Sequence, residues 1–216
     1  MNHIFFLECS PAGNQSMGAQ LVATALRDGQ SRTQGMRLTT RSLAAQPLAP
    51  VSAQYAKAIT SSAPLDDPAL ALSEKLISEM ETSDRLLIST PMHNFTVPAT
   101  LKLWIDYVLR IHRTFTNTPD GKVGLLQDRP TLVLVRSGGA CIGDAARQPD
   151  FLTPYLRHAL STLGLHQVRF LYLAGPSPTV ETLAHTRQAL TSFLFPSIQP
   201  ETSREHTSIA LPNPVV

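Results

Sequence analysis

Five short apolar runs recur along the chain and alternate with segments of helical periodicity. The runs occupy residues 3–9, 36–40, 85–89, 131–135 and 168–173, and each has the length of a β-strand. The run at 36–40 is the most polar, which predicts a place near the edge of a sheet. Several others are continuously apolar, as expected of strands buried on both faces. This pattern predicts an α/β fold with a five-stranded parallel sheet.

Helical periodicity fills the intervals between these runs. The clearest amphipathic pattern covers residues 98–112, with apolar side chains at i, i+3, i+4 and i+7 and a proline in the first turn. Further helices are predicted around residues 21–26, 72–80, 154–163 and 180–194. Right-handed crossovers between parallel strands then produce a doubly wound domain with helices on both faces of the sheet.

Local signals refine the ends of three helices. Thr153-Pro154 is predicted to be the N-cap and first residue of one helix, and Ser177-Pro178 to open the last one. His112 falls on the apolar face of the 98–112 helix, and Arg110 and Arg113 beside it predict a solvated helix end. Trp104 on that same helix is predicted to be a core or subunit-interface residue rather than a partner that stacks on a ligand.

Two longer connections and the C-terminal segment lack such clear patterns. Residues 41–68 contain four prolines and are interpreted as a long connection with some helix. Residues 114–128 contain Pro119-Asp120-Gly121, which predicts a turn. The polar, aperiodic residues 196–216 are predicted to form a mobile tail. The chain is therefore divided into one domain, 1–195, and the tail, 196–216.

Composition and charge exclude several classes of protein. The 216 residues are 43% hydrophobic and 16% charged, with a formal net charge of +2 and no Lys/Arg-rich run, so no nucleic-acid partner is predicted. The apolar runs are too short for a signal peptide or a membrane span, which predicts a cytoplasmic protein that has no membrane partner. Cys9 and Cys141 have no metal-ligand spacing and are interpreted as free, partly buried thiols.

Ligands of doubly wound sheets bind beyond the carboxyl ends of the strands, which directs attention to three loops. The first, 9–18, has serine hydroxyls at the start of a helix, and such a site suits a phosphate monoester. The second, 90–97, is braced by prolines, and the third, 136–144, has adjacent glycines through which a flat ring can approach the backbone. Taken singly, each loop is explained as well or better by an ordinary turn or connector.

A match to a known family over several separated segments carries more information than a match at any one loop. The segments are Pro91-Met92-His93-Asn94-Phe95, Val97-Pro98, Arg113-Thr114-Phe115, Ser137-Gly138-Gly139 and residues 150–156. With them, over roughly residues 3–195, the chain resembles the FMN-dependent NADH:quinone oxidoreductases of flavodoxin-like fold, which are also called FMN-dependent NADH-azoreductases.

The resemblance implies a cofactor site for FMN built from the three loops. The phosphate and ribityl chain are expected at Ser10, Ser16, Met17 and Gly18. The isoalloxazine ring is expected to be bordered by Met92, His93, Asn94 and Phe95. Its pyrimidine edge is expected at Arg136, Ser137, Gly138 and Gly139. The chain departs from the family at Gly18, because the phosphate loop there often reads Ser-x-Ser, and the loss of one hydroxyl predicts a lower affinity for FMN.

The resemblance also implies an activity and an assembly. Members form homodimers that hold one FMN per subunit near the interface. They use NADH or NADPH to reduce quinones and azo compounds by alternating hydride transfers, so ping-pong kinetics are expected. No essential acid is assigned, and His93 is a candidate proton source. The alternatives are a flavodoxin-like electron carrier, which the absence of charge blocks disfavours, and a flavin-free member, which the loss of the second loop serine leaves open.

Overall fold

The structure, a computed structural model, describes residues 2–29 and 35–196. Its strands are β1 (Asn2–Glu8), β2 (Met36–Ser42), β3 (Arg85–Pro91), β4 (Phe115–Thr118), β5 (Gly121–Gly124), β6 (Thr131–Ser137) and β7 (Val168–Ala174). Its helices are α1 (Met17–Asp28), α2 (Ala53–Thr60), α3 (Ala71–Glu81), α4 (Ala99–Val108), α5 (Leu152–Leu163) and α6 (Val180–Leu194). The predicted tail, apart from Pro196, lies outside the described residues.

The predicted parallel sheet is confirmed. Its strand order is β2-β1-β3-β6-β7, and all four pairings are parallel. The polar β2 lies at an edge, as its sequence indicates. The chain moves outward from β1 to β2 and then returns to β3 on the other side of β1, which creates a switch point between β1 and β3. The loops after β1, β3 and β6 therefore leave neighbouring strands at the same edge.

Alternation of side chains along the buried strands produces a core on each face of the sheet. Phe5 and Leu7 of β1 pack on one face, together with Trp104 of α4. Ile4 and Phe6 pack on the other face, under α1 and α6. Trp104 is fully buried, which confirms its predicted place in the core. Covering both faces requires the continuously apolar strands seen in the sequence.

The long amphipathic helix is shorter than predicted, and three predictions at its end are wrong. Helix α4 ends at Val108, because Thr114 Oγ1 donates to the carbonyl of Val108 and accepts the backbone N–H of Arg110, closing a turn there. His112 is exposed in this turn at a φ of 64°, so it does not lie on a helical face. Arg110 is buried rather than solvated and pairs with Glu74. Arg113 is only partly exposed and pairs with both Glu74 and Glu81.

The starts of the last two helices also differ from the predictions. Helix α5 begins at Leu152, and the carboxylate of Asp150 accepts the backbone N–H of Thr153 at 2.9 Å, so Thr153 is not the N-cap. The N-cap of α6 is Thr179, whose hydroxyl accepts the N–H of Thr182. Ser177-Pro178 therefore precedes the helix. In both cases a polar side chain other than the predicted one accepts a backbone N–H of the first turn.

The connection before β6 is a β-hairpin. Its turn at Pro119-Asp120-Gly121 is confirmed, and Gly121 has the positive φ of 124° that the turn requires. The two hairpin strands, β4 and β5, were not predicted. The connection at 41–68 contains α2, so its predicted helical content is confirmed. Among the described residues, no helix combines the length and the apolar character needed to cross a membrane.

Candidate functional site

The first loop places two serine hydroxyls beside the start of α1. Ser16 is the N-cap, and its Oγ accepts the N–H of Ala19 at 3.0 Å. Ser10 Oγ accepts the N–H of Ala12 at 3.2 Å. Each hydroxyl is thereby fixed in place as an acceptor and still has its own hydrogen to donate. The N–H groups of the first turn of α1 have no partner within the helix, so the loop presents donors suited to an anion.

Gly18 brings the first turn of α1 close to β3. A Cβ atom added to Gly18 would lie 2.1 Å from Ser89 Oγ and 3.1 Å from Ser89 Cβ. Such contacts are too short for two non-bonded atoms, so a larger residue at position 18 would require the Ser89 hydroxyl to rotate away and the helix and strand to separate slightly. The glycine at this position of the loop is therefore matched to the serine on β3.

Glu8 lies beside the first loop of the candidate site, and sequence reasoning missed it. Its side chain is buried below the first loop, where Oε1 accepts the N–H of Ser10 at 2.8 Å. Among the described residues, Oε2 has no hydrogen-bond partner. Burial raises the pKa of this carboxyl, and hydrogen bonding with Ser10, Ser89 and Ser16 opposes the shift. The sequence feature that indicates Glu8 is a carboxylate at the last position of an apolar strand, where burial is costly unless the group has partners.

The second loop makes a tight reversal directly after β3. His93 and Thr96 exchange two backbone hydrogen bonds of 2.9 and 3.1 Å across the turn. The two residues between them, Asn94 and Phe95, have φ values of 47° and 72°. Two positive φ angles define the type I′ class of turn, which is costly for a bulky residue such as phenylalanine. The turn holds the Phe95 ring outward, and the ring is 46% exposed.

The third loop is tied to the second by side chains. Ser137 is buried, and its Oγ donates to the carbonyl of Gly139 at 2.6 Å and accepts Gln148 Nε2 at 3.0 Å. Met92 Sδ lies 3.9 Å from Ser137 Oγ and 3.6 Å from Gln148 Nε2. Gly138 is exposed, and a Cβ there would meet nothing within 4 Å, so the backbone is open to a ligand at that point. Gln148 was not predicted, because no pattern in the sequence distinguishes it.

Arg136 points away from the other two loops. Its guanidinium donates to the carbonyls of Ser137, Leu173 and Pro176, the last two at 2.9 and 3.0 Å. The side chain thus binds the end of β7 and the loop after it. These three hydrogen bonds use Nη1 and Nη2 and leave the Nε–H of the guanidinium out.

Together these contacts bring the predicted loops to one edge of the sheet. Thr100 Oγ1 of α4 donates to the carbonyl of Cys9 in the first loop, and the N–H of Phe151 donates to the carbonyl of Phe95 in the second. Both cysteines are free and buried, so the interpretation as free thiols is confirmed. Within the part of the chain that the structure describes, no group of three potential metal ligands occurs.

The sheet order and these three loops define a flavodoxin-like protein. The family model described as "Flavodoxin-like fold" matches residues 2–194. FMN-dependent NADH:quinone oxidoreductase 5 of Burkholderia lata is 57% identical over 178 residues, which are 82% of this chain and 87% of that protein. FMN-dependent NADH:quinone oxidoreductase 4 of Pseudomonas fluorescens is 55% identical over 175 residues, which are 81% and 85%.

A solved structure agrees in fold. The FMN-dependent NADH-azoreductase of Bacillus anthracis, determined in complex with FMN, has a TM-score of 0.74 at 19% identity, and the match covers 90% of this chain and 98% of that one. The chain belongs to the FMN-dependent NADH:quinone oxidoreductase family of the flavodoxin-like proteins.

Proposed function

We propose that this protein is an FMN-dependent NAD(P)H oxidoreductase that reduces quinones and azo compounds by a ping-pong, two-electron mechanism. The observation that carries the proposal is the convergence of three loops with complementary chemistry at one edge of the sheet. Support comes from two relatives of 55% and 57% identity that are FMN-dependent NADH:quinone oxidoreductases by name. The family names favour NADH, and use of NADPH stays a prediction.

The residues present fit FMN. The first loop offers Ser10, Ser16 and the N–H groups of Met17 and Gly18 to the phosphate, where the partial positive charge of the start of α1 favours an anion. Bound flavin would supply the hydride chemistry, and the protein would supply position and electrostatics.

The second and third loops would hold the flavin ring. Met92 and Phe95 offer apolar surface, and His93 and Asn94 contribute backbone that the I′ turn holds rigid. Gly138 and Gly139 let the backbone approach a flat ring, and Ser137 fixes the shape of that loop through Gly139 and Gln148. Arg136 is included in the proposed cofactor set as a nearby cation.

A homodimer, with one FMN per subunit near the interface, belongs to the same proposal. Three large apolar side chains, Phe95, Ile142 and Phe151, are 46%, 47% and 59% exposed around the second and third loops. Exposed apolar surface at a ligand site is typical of a subunit interface or a substrate wall. The cytoplasmic location stays a prediction.

Steady-state kinetics test the proposal against an electron carrier. Purified protein is loaded with FMN, and NADH oxidation is followed at 340 nm with and without an added benzoquinone. We expect sustained oxidation that depends on the quinone, with parallel double-reciprocal plots. FMN-loaded protein that never oxidises NADH would overturn the proposal, and protein that binds no FMN would establish a flavin-free member. Full activity in His93→Phe would remove that residue as a proton source.

A further inference from the structure

The first loop lacks the second serine hydroxyl of the family, and a serine of β3 lies beside the position where it is missing. Glu8 and Ser89 are register partners on the neighbouring strands β1 and β3. Since parallel register partners project to the same face, both side chains lie under the start of α1, next to Gly18. Ser89 is only 5% exposed, and its Oγ lies 2.1 Å from the position that a Cβ of residue 18 would take. The hydroxyl of Ser89 therefore fills the space of the missing side chain.

We propose that Ser89 provides the second hydroxyl of the phosphate subsite in place of a side chain at residue 18, and that the Glu8 carboxyl beside it orients this hydroxyl. The inference rests on the proposed FMN site and deepens it. It makes Ser89 a residue that distinguishes a flavin with a terminal phosphate from one without it.

Without a ligand, the hydrogen bond between Ser89 and Glu8 lowers the pKa of the carboxyl, so the hydroxyl donates to it. A bound phosphate would reverse this direction. A phosphate dianion has no hydrogen to donate, so Ser89 must donate its own hydrogen to the phosphate and accept one from elsewhere. Glu8 Oε2, which has no partner among the described residues, meets this need when the carboxyl is neutral. Burial raises the pKa of Glu8 and so favours the neutral form. A neutral Glu8 also removes the repulsion that a buried carboxylate would exert on the phosphate.

Neighbouring groups are consistent with this arrangement. The other groups that influence the Glu8 carboxyl are the N–H of Ser10 and the hydroxyl of Ser16; both are uncharged, and their hydrogen bonds offset only part of the rise in pKa that burial causes. Cys9 follows it in the chain, and burial raises the pKa of this thiol as well, so it is uncharged at neutral pH. Among these groups none is a cation that would hold Glu8 in its charged form.

Flavin affinities of Ser89→Ala test the inference without using activity. FMN and riboflavin are titrated separately into flavin-free protein, and binding is read from the flavin fluorescence. A hydrogen bond to a charged group contributes about 1.5–3 kcal/mol, so we expect the Kd for FMN to rise about tenfold or more. The Kd for riboflavin should change less than about twofold. Ser83 is a buried serine just before the amino end of β3. Ser83→Ala is the matched control and should leave the Kd for FMN and the Kd for riboflavin unchanged.

An exchange of residues separates chemistry from packing. Gly18→Ser alone should weaken FMN binding, because its Cβ meets Ser89 Oγ. Gly18→Ser combined with Ser89→Ala restores one hydroxyl and removes the shorter contact, leaving the two Cβ atoms 3.1 Å apart, so the preference for FMN over riboflavin should return. If Ser89→Ala weakens both flavins equally, or neither, the inference is wrong while the proposed function stands. If the unaltered protein binds neither flavin, the proposed function fails, and the inference with it.

Discussion

The backbone N–H of Phe151 donates a 3.0 Å hydrogen bond to the carbonyl oxygen of Phe95. This bond joins the turn after β3 to the residue that precedes α5, although the two lie 56 positions apart. It is formed at a residue whose φ of 72° is unfavourable for any L-amino acid with a large side chain. The turn is therefore held in a strained conformation by its surroundings, and strain of this kind is typical of functional loops.

Phe95→Gly and Phe95→Ala separate the strain of this turn from the role of the ring. Both variants remove the same exposed ring, but only glycine adopts a positive φ without strain. We expect Phe95→Gly to be about 1 kcal/mol more stable than Phe95→Ala in urea unfolding of flavin-free protein. Quinone-dependent kcat/KM should fall by a similar factor in both, if the ring borders the flavin. Equal stability of the two variants would show that the turn is unstrained.

The sequence predicts the sheet well because its strands are covered on both faces. Continuous apolar runs follow directly from that burial, and β1, β3 and β6 are each recognisable within two residues of their observed ends. The hairpin strands β4 and β5 are short, polar and exposed on much of their surface, so they have no such pattern. Only the turn between them was predictable, because Pro and Gly restrict the backbone locally.

The sequence predicts where the three loops of the candidate site lie, because their place follows from the fold, but it does not predict the contacts between them. The three loops follow from strand order and the resemblance. The fit of Gly18 to Ser89 joins residues 71 positions apart, and no local pattern reveals such a contact. Gln148 likewise has no distinctive neighbours in sequence, yet it binds Ser137. Glu8 was visible only as the end of an apolar run, and its burial depends on packing by α1.

Glu8 should make the flavin-free protein less stable as the pH rises. Its pKa in the folded state is raised by burial, so the folded protein binds more protons than the unfolded chain between the two pKa values. Stability is then lost as pH increases from the unfolded pKa, near 4.3, through the folded value. In Glu8→Gln this loss of stability does not occur. Its melting temperature should therefore exceed that of the unaltered protein by a margin that grows between pH 4.5 and pH 8.

Glu181→Gln is the matched control for this pH dependence. Glu181 is exposed in the first turn of α6, and its replacement should shift the melting temperature by an amount that does not change with pH in the same way. A difference between Glu8→Gln and the unaltered protein that stays constant from pH 4.5 to pH 8 would contradict the raised pKa.

Arg110 should contribute more to stability than Arg113, although both pair with Glu74. Arg110 is only 3% exposed and also donates to Ser73 Oγ at 3.1 Å, whereas the side chain of Arg113 is 18% exposed. Removing one partner of a buried pair costs about 3–5 kcal/mol, while exposed pairs contribute about 0–1 kcal/mol. Arg110→Ala should therefore destabilise the protein by about 3 kcal/mol in urea unfolding.

Arg113→Ala is the comparison for this measurement. This variant should lower the free energy of unfolding by about 1 kcal/mol. The decrease should be smaller at high salt, because salt partly screens the pairs of Arg113 with Glu74 and Glu81. Equal losses for the two variants, or an Arg110→Ala loss that salt abolishes, would show that Arg110 does not act as a buried ion pair.

Gly124 should be required for the hairpin to dock on α5. A Cβ at this position would lie 2.1 Å from the N atom and 2.4 Å from the Cα of Gly164, and backbone atoms cannot yield as a flexible side chain can. Gly124→Ala must therefore separate β5 from the C-terminal end of α5, at a cost of about 1–3 kcal/mol. Hydrogen exchange should show lost protection at the N–H of Leu126, which donates to the carbonyl of Leu163 at 3.0 Å.

Val123→Ala provides the control on the same strand. Val123 is 48% exposed, so its truncation should change the free energy of unfolding by less than about 0.5 kcal/mol and leave the exchange of Leu126 unaltered. If Gly124→Ala is as stable and as well protected as Val123→Ala, the hairpin is not held by backbone contact. The hairpin would then be free to move relative to the sheet, and its exposed Val123 and Leu125 would not form a fixed surface.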